Sequence, residues 1–271
     1  MQNFYCISIQ TPAGDQRDEL LAAISVLSPE GFEENETELT AWFNETSFQE
    51  EALERLLQAH HINFQKQFIK GKNWNSEWEA NFQPVIIDNT ISIRANFHQP
   101  IVGMMHEIII TPKMSFGTGH HATTALMISE MLKLDLHQKK VFDFGAGTGI
   151  LSILAEKLGA KEIFSIDNDP FCTENFKENV EANECKNIFY SEKNMPPGDE
   201  KFDIILANIN KHVLMEFLPN FSQILHAKGQ VLISGIFLSD VEDLLQVASQ
   251  SGLTHRATNV KDSWVLMAFN R

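Results

Sequence analysis

Asp143-Phe144-Gly145-Ala146-Gly147-Thr148-Gly149 sets an acid two residues ahead of glycines that alternate with small residues. Gly145 and Gly147 lack the Cβ atoms that would hold a ligand off the backbone, and glycine tolerates the dihedrals of a tight turn. Residues 141–144 before the turn read as an apolar strand. Residues 150–158 after it read as a helix whose first N–H groups have no partner within the helix. Such an arrangement suits a nucleotide-type cofactor at the carboxyl end of a strand in an open α/β sheet. A second strand, residues 162–166, ends at Asp167, which lies 20 residues after Gly147. An acid at that distance can accept hydrogen bonds from ribose hydroxyls. In Asp167-Asn168-Asp169-Pro170 it equally suits a turn or helix cap.

The type of cofactor turns on one position. A dinucleotide fingerprint needs a third small residue where this chain has Ile150. With Asp143 in front, the G-x-G-x-G spacing resembles motif I of the class I S-adenosylmethionine-dependent methyltransferases. That resemblance implies S-adenosylmethionine as cofactor and disfavours a nicotinamide-dependent oxidoreductase. At the next candidate site, Asn208-Ile209-Asn210-Lys211 ends the apolar strand 202–207 without the Pro-Pro-aromatic run used to stack a planar acceptor. An aliphatic amine, which needs no stacking partner, is the expected methyl acceptor.

Ahead of motif I, Phe116-Gly117-Thr118-Gly119-His120-His121-Ala122-Thr123-Thr124 can turn hydroxyls and backbone N–H groups toward a polar ligand, although both threonines also suit helix caps. His120 and His121 lack a matching ligand spacing elsewhere, so no metal site is expected. This loop, Ala207-Asn208-Ile209 and the aromatic run Trp74, Trp78, Phe82 together resemble the bacterial ribosomal-protein lysine methyltransferases that modify the stalk-base protein of the large subunit. The resemblance spans essentially the whole chain. It implies that Thr124, Gly145, Asp167 and Asn208 contact the cofactor and that Thr118, Gly119, Asp143 and Gly147 line the same pocket. Lysine side-chain and α-amino nitrogens become the expected acceptors, with Asn208 orienting the amine and no general base assigned. A methyltransferase acting on another protein or a small-molecule amine stays open, as does a binding module that has lost transfer.

The elements that must position these groups fall into two domains. Residues 1–69 read as βαββαβ, the ferredoxin-like order, and the resemblance gives them substrate recognition. Residues 70–84 place Trp74, Trp78 and Phe82 four apart, one stripe if helical, either a packing seam or a substrate contact. Residues 85–271 begin with a hairpin and then alternate strand and helix, as in a parallel sheet closed by one or two further strands near the carboxyl end. The expected class is therefore α/β, a class I Rossmann-like domain behind a small α+β domain. Net charge is −15, which argues against broad nucleic-acid binding and is compatible with a basic protein partner. There is no apolar run of membrane-spanning length, no secretory leader, and only three scattered cysteines. A cytoplasmic monomer is expected.

Overall fold

Residues 3–11, 14–70, 82–113, 115–192 and 200–271 are described by the computed structural model. They divide into two units, Met1–Phe82 and Gln83–Arg271. Trp74 and Trp78, and with them the expected linker helix, lie outside the described residues.

The first unit runs β1 (Phe4–Gln10), α1 (Asp15–Ser25), β2 (Gly31–Glu34), β3 (Glu38–Asn44), α2 (Glu50–Ala59) and β4 (Phe64–Ile69). Its sheet order is β2-β3-β1-β4 with every neighbouring pair antiparallel, the ferredoxin-like arrangement. Alternation turns Ile7 and Ile9 of β1 and Leu39, Ala41 and Phe43 of β3 onto one face. There they bury against Leu20 and Ile24 of α1 and Leu53 and Leu57 of α2. Asn35 closes the β2–β3 turn, its Oδ1 accepting from the N–H of Thr37 and Glu38 at 3.0 and 2.9 Å. The second helix starts at Glu50. Asn44 accepts the backbone N–H of both Thr46 and Ser47, which locks residues 44–47 in a turn.

The second unit opens with a three-stranded sheet, β5 (Val85–Ile87), β6 (Ile91–Arg94) and β7 (His106–Ile109). Asp88 and Asn89, both at positive φ, make its first turn. Helix α3 (Ala122–Met131) follows, and then β8 (Lys140–Phe144), α4 (Ile150–Lys157), β9 (Glu162–Ile166), α5 (Pro170–Ala182) and β10 (Ile188–Ser191). The rest is β11 (Phe202–Asn208), α6 (Lys211–Ile224), β12 (Leu225–Phe237), α7 (Val241–Gln250), β13 (Thr254–Lys261) and β14 (Trp264–Asn270).

The main sheet has the order β10-β9-β8-β11-β12-β14-β13. Neighbours are parallel except that β14 runs antiparallel between β12 and β13. Two cores form on its faces. In β8, Val141 joins the cluster that holds Met127 of α3 and Leu154 of α4, while Phe142 and Phe144 join the cluster of Leu218 and Phe221 of α6. The same period turns Asp143 toward α4. Its placement among apolar residues is the one exception to a dry face along this strand.

Helix α3 is apolar nearly all round and lies against β12, β14 and β13. Its one buried acid, Glu130, accepts from Arg256 Nη2 at 2.7 Å, Asn259 Nδ2 at 3.0 Å and Lys133 Nζ at 2.9 Å. Burial pushes this carboxyl up, but the hydrogen bonds from Lys133 and Arg256 carry it below the ordinary glutamate value. The helix that presents Thr124 is thereby tied to the C-terminal hairpin.

Candidate active site

The glycine turn joins β8 to α4 with Gly145, Gly147 and Gly149 at φ +79°, +53° and +82°. These are left-handed angles that favour glycine. Space around the turn is taken up by protein. A Cβ on Gly145 would sit 2.4 Å from Ile209 Cγ2, and one on Gly147 would sit 2.5 Å from the Phe116 carbonyl oxygen. The bare backbone therefore admits Ile209 and the Phe116 loop as well as any ligand. Thr148 fastens that loop, donating from its N–H to the Phe116 carbonyl at 3.0 Å and from Oγ1 to the Gly117 carbonyl at 2.6 Å.

Asp167 performs the turn function its sequence allowed. Oδ2 accepts from Gly147 N–H at 2.8 Å and Oδ1 from Asp169 N–H at 2.9 Å, so the acid fixes the glycine turn and its own turn together. Each oxygen retains a further lone pair for a ligand hydroxyl. Asp169 caps α5 through the N–H of Phe171 at 3.0 Å, ahead of Pro170 at the first helical position.

A cavity of about 610 Å³ lies over this turn. Gly145, Gly147, Asp167 and Asn208 line it, together with Ser115, Phe116, Cys172 and Phe217. Among the described residues its charged walls are Asp167, Asp169 and Glu216, with no Lys, Arg or His. Such a wall suits a cationic ligand and opposes a pyrophosphate. The Oγ of Ser115 and the Oδ1 of Asn208 are buried in it without a hydrogen-bond partner. Two polar atoms left in that state point to a polar ligand, which S-adenosylmethionine is.

The other residues expected at the pocket stand behind its walls. Asp143 and Thr124 are fully enclosed, and Thr124 Oγ1 has no partner. Asp143 Oδ2 accepts from Ser152 Oγ at 2.5 Å, Ser152 Oγ meets Ser165 Oγ at 2.8 Å, and Oδ1 is unpartnered. Burial pushes the Asp143 carboxyl up to about 7; the charge of Asp167 adds to the rise, and the Ser152 hydrogen bonds oppose it. Gly119, at φ +90°, is packed against Ile93, and Thr118 Oγ1 bonds His120 Nδ1 at 3.2 Å. These two shape the loop from outside the cavity wall. Among the described residues no three His, Cys, Asp or Glu side chains group as metal ligands.

A second cavity of about 260 Å³ adjoins the first and shares Phe116, Asn208, Ile209 and Asn210 with it. Its remaining walls are His121, Thr123, Gly235 and Trp264. The His121 ring sits 5.1 Å from that of Phe116 and 4.7 Å from that of Trp264, edge-on to both. Phe237 stacks on Trp264 at 4.2 Å. His121 Nδ1 meets Thr123 Oγ1 at 2.8 Å and caps α3, which fixes its ring. β12 breaks register with β14 between Ile233 and Ile236, where Gly235 at φ +88° lets the Ile209 carbonyl approach. Sequence reasoning missed Trp264, Phe237 and Gly235. The turn at Asp262-Ser263, both at positive φ, gives the hairpin but nothing that aims Trp264 at motif I.

Comparisons with known proteins agree on one family. The family described as "Ribosomal protein L11 methyltransferase (PrmA)" matches residues 3–271. A protein of Phocaeicola vulgatus named ribosomal protein L11 methyltransferase is 35% identical over 267 residues, covering 95% of each chain. One of the same name from Chlorobaculum parvum is 40% identical over 263 residues, covering 89% of each. Among solved structures, the ribosomal protein L11 methylase of Lactobacillus delbrueckii subsp. bulgaricus superposes with a TM-score of 0.65 at 26% identity. That match covers 70% of this chain and 99% of the other.

Proposed function

The chain belongs to the ribosomal protein L11 methyltransferase family, and from that premise we propose how its two cavities divide the reaction. It is an S-adenosylmethionine-dependent protein methyltransferase. The 610 Å³ cavity takes the cofactor, the 260 Å³ cavity takes the target amine, and transfer occurs where they meet at Asn208. The observation that carries this reading is Asn208 Oδ1, buried and unpartnered in a wall common to both.

Bound in the larger cavity, S-adenosylmethionine supplies a methyl group on a sulfonium that is already a good leaving group. Asp167 would hold the ribose hydroxyls with its spare lone pairs, with Gly145 and Gly147 in the same wall. Thr124, Thr118, Gly119 and Asp143 support that wall from behind. Asp169 and Glu216 favour its positive charge. What remains for the protein is alignment and removal of water.

The amine must arrive neutral, against a free pKa of ~10.4. A pocket walled by Phe116, His121 and Trp264 offers little solvation to an ammonium, which pushes a lysine toward the free base. Asn208 Oδ1 accepts a hydrogen bond from the amine and fixes the direction of its lone pair. His121 is the one titratable residue in this wall and its Nδ1 is engaged by Thr123, so no general base is assigned.

The proposed acceptors are lysine and α-amino nitrogens of the stalk-base ribosomal protein. The first unit supplies recognition, with Glu33, Glu34, Glu36, Glu45 and Glu51 exposed to meet a basic partner. We further propose a monomer that works in the cytoplasm without direct nucleic-acid contact. Among the described residues no helix is long and apolar enough to cross a membrane. The test is incubation with labelled S-adenosylmethionine and undermethylated ribosomal proteins, read by mass spectrometry. Label on amines of the stalk-base protein is expected; label on another protein overturns the acceptor. Wild-type turnover by Asn208→Ala would overturn the orienting role.

A further inference from the structure

Three asparagines one helical turn apart on α5 do the work of a missing β-strand. Strand β7 pairs with β6 on one side, and Ile110 continues that pairing by donating to the Arg94 carbonyl at 2.9 Å. Ile109 and Thr111 therefore turn their backbone groups to the opposite side, where among the described residues the sheet has no further strand. Side chains of α5 meet them. Asn183 Oδ1 accepts from Ile109 N–H at 2.9 Å, and its Nδ2 donates to the Ile109 carbonyl at 2.6 Å. Asn179 Oδ1 accepts from Thr111 N–H at 2.8 Å, and Asn175 Nδ2 donates to the Thr111 carbonyl at 3.0 Å. The two lattices match: four helical residues rise about 6.0 Å and two strand residues about 6.6 Å. An amide carries a donor and an acceptor as a peptide does, so it can replace one in a ladder.

Asn179 goes further than its neighbours. With its acceptor on Thr111, its Nδ2 donates to the carbonyl of Thr148 at 2.9 Å, inside the glycine turn. It is 0% exposed, so neither bond competes with water. Rotating the amide would set Nδ2 against the Thr111 N–H and Oδ1 against the Thr148 carbonyl, so only one orientation satisfies both. Thr111 leads into the Phe116 loop, Thr148 belongs to the turn beneath the larger cavity, and α5 itself begins just beyond Asp167. Three pieces of that cavity converge on one side chain.

We propose that Asn179 is a positioning residue that sets the spacing between the glycine turn and the Phe116 loop, with Asn175 and Asn183 holding the loop's lead-in strand. The proposal rests on the cofactor assignment of the larger cavity only for its binding readout. Exchange of backbone amides over residues 109–121 tests the positioning itself, with no cofactor present.

The experiment compares wild type, Asn179→Ala, the milder Asn175→Ala and Leu244→Ala, whose buried side chain lies in the core beneath α7. Amide exchange is followed by mass spectrometry, and binding of S-adenosylhomocysteine by intrinsic fluorescence. Asn179→Ala removes two buried hydrogen bonds and is expected to speed exchange across residues 109–121 and to weaken binding about tenfold. Its KM for S-adenosylmethionine rises by a similar factor while kcat changes less. Asn175→Ala frees the Thr111 carbonyl and leaves its N–H on Asn179, so it speeds exchange over residues 109–121 less than Asn179→Ala does, with a smaller effect on binding. Leu244→Ala lowers the melting temperature and leaves both readouts unchanged. Exchange at wild-type rates in both asparagine variants, or equal acceleration in Leu244→Ala, overturns the proposal. Faster exchange without weaker binding keeps the positioning role and counts against the cofactor assignment of the cavity.

Discussion

The larger cavity surrounds a polar floor with Asp167, Asp169 and Glu216, whereas the smaller one is walled by Phe116, His121 and Trp264. They meet at Asn208, so on the proposed division a cationic donor and a deprotonated amine would be served by environments of opposite kind a side chain apart. Acids on the donor side favour a positive ligand. Rings on the acceptor side deny an ammonium its water. If the proposed division holds, each side can be damaged with its own kinetic signature.

The largest effect falls on the donor side. Gly145→Val places a β-branched residue at φ +79° and a Cβ on Ile209. Strain and overpacking together lower turnover by more than about a thousandfold, read in the methyl-transfer assay. Retained turnover would mean that the turn shifts freely. Next comes Asp143, whose carboxyl titrates near 7 when folded and in the ordinary acid range when unfolded. The unfolded chain therefore loses its proton first, and folding stability falls as pH rises from about 4 to about 7, by at most ~4 kcal/mol. Denaturation curves across that window should lose this component in Asp143→Asn. An unchanged slope would show that the acid is ionised beneath the donor side after all.

Asp167→Ala removes charge-assisted hydrogen bonds to the turn and, on the proposed reading, to the ligand. Cofactor affinity should fall between about tenfold and a hundredfold in a fluorescence titration, with no gain of nicotinamide dinucleotide binding. Trp264→Ala is the smallest and sharpens the comparison most. The KM for the protein acceptor rises about tenfold as a ring wall is lost, while cofactor affinity stays at the wild-type value. Equal loss of both would merge the two cavities into one site.

The glycine turn and Asp167 were readable because they lie between residues 143 and 167 and local backbone rules connect them. A positive-φ turn demands glycine, and an acid at the next strand end faces it. Gly145 and Gly147 line the cavity, and Ile209 and the Phe116 carbonyl also approach their bare backbone. The resemblance gives Thr124 as a cofactor contact and Asp143 as pocket lining; the packing of α3 and strand alternation enclose both side chains fully. The acceptor side was not readable, since Trp264 reaches it through a sheet order that no local pattern encodes. Asn175, Asn179 and Asn183 share a fault of another kind. Polar residues four apart on a helix read as a solvated face, and only the unpaired edge of β7 makes them interior.

The antiparallel β14 also fixes an order of events during synthesis. By the time residue 217 is added, every wall of the larger cavity exists, but Trp264 arrives only with the strand that slots between β12 and β13. Roughly fifty residues separate the two points, about 2–10 s of translation. During that interval the growing chain gains β12 with one edge open, and the smaller cavity has Phe116 and His121 but still lacks Trp264. Until β14 arrives, that exposed strand edge is prone to stray pairing.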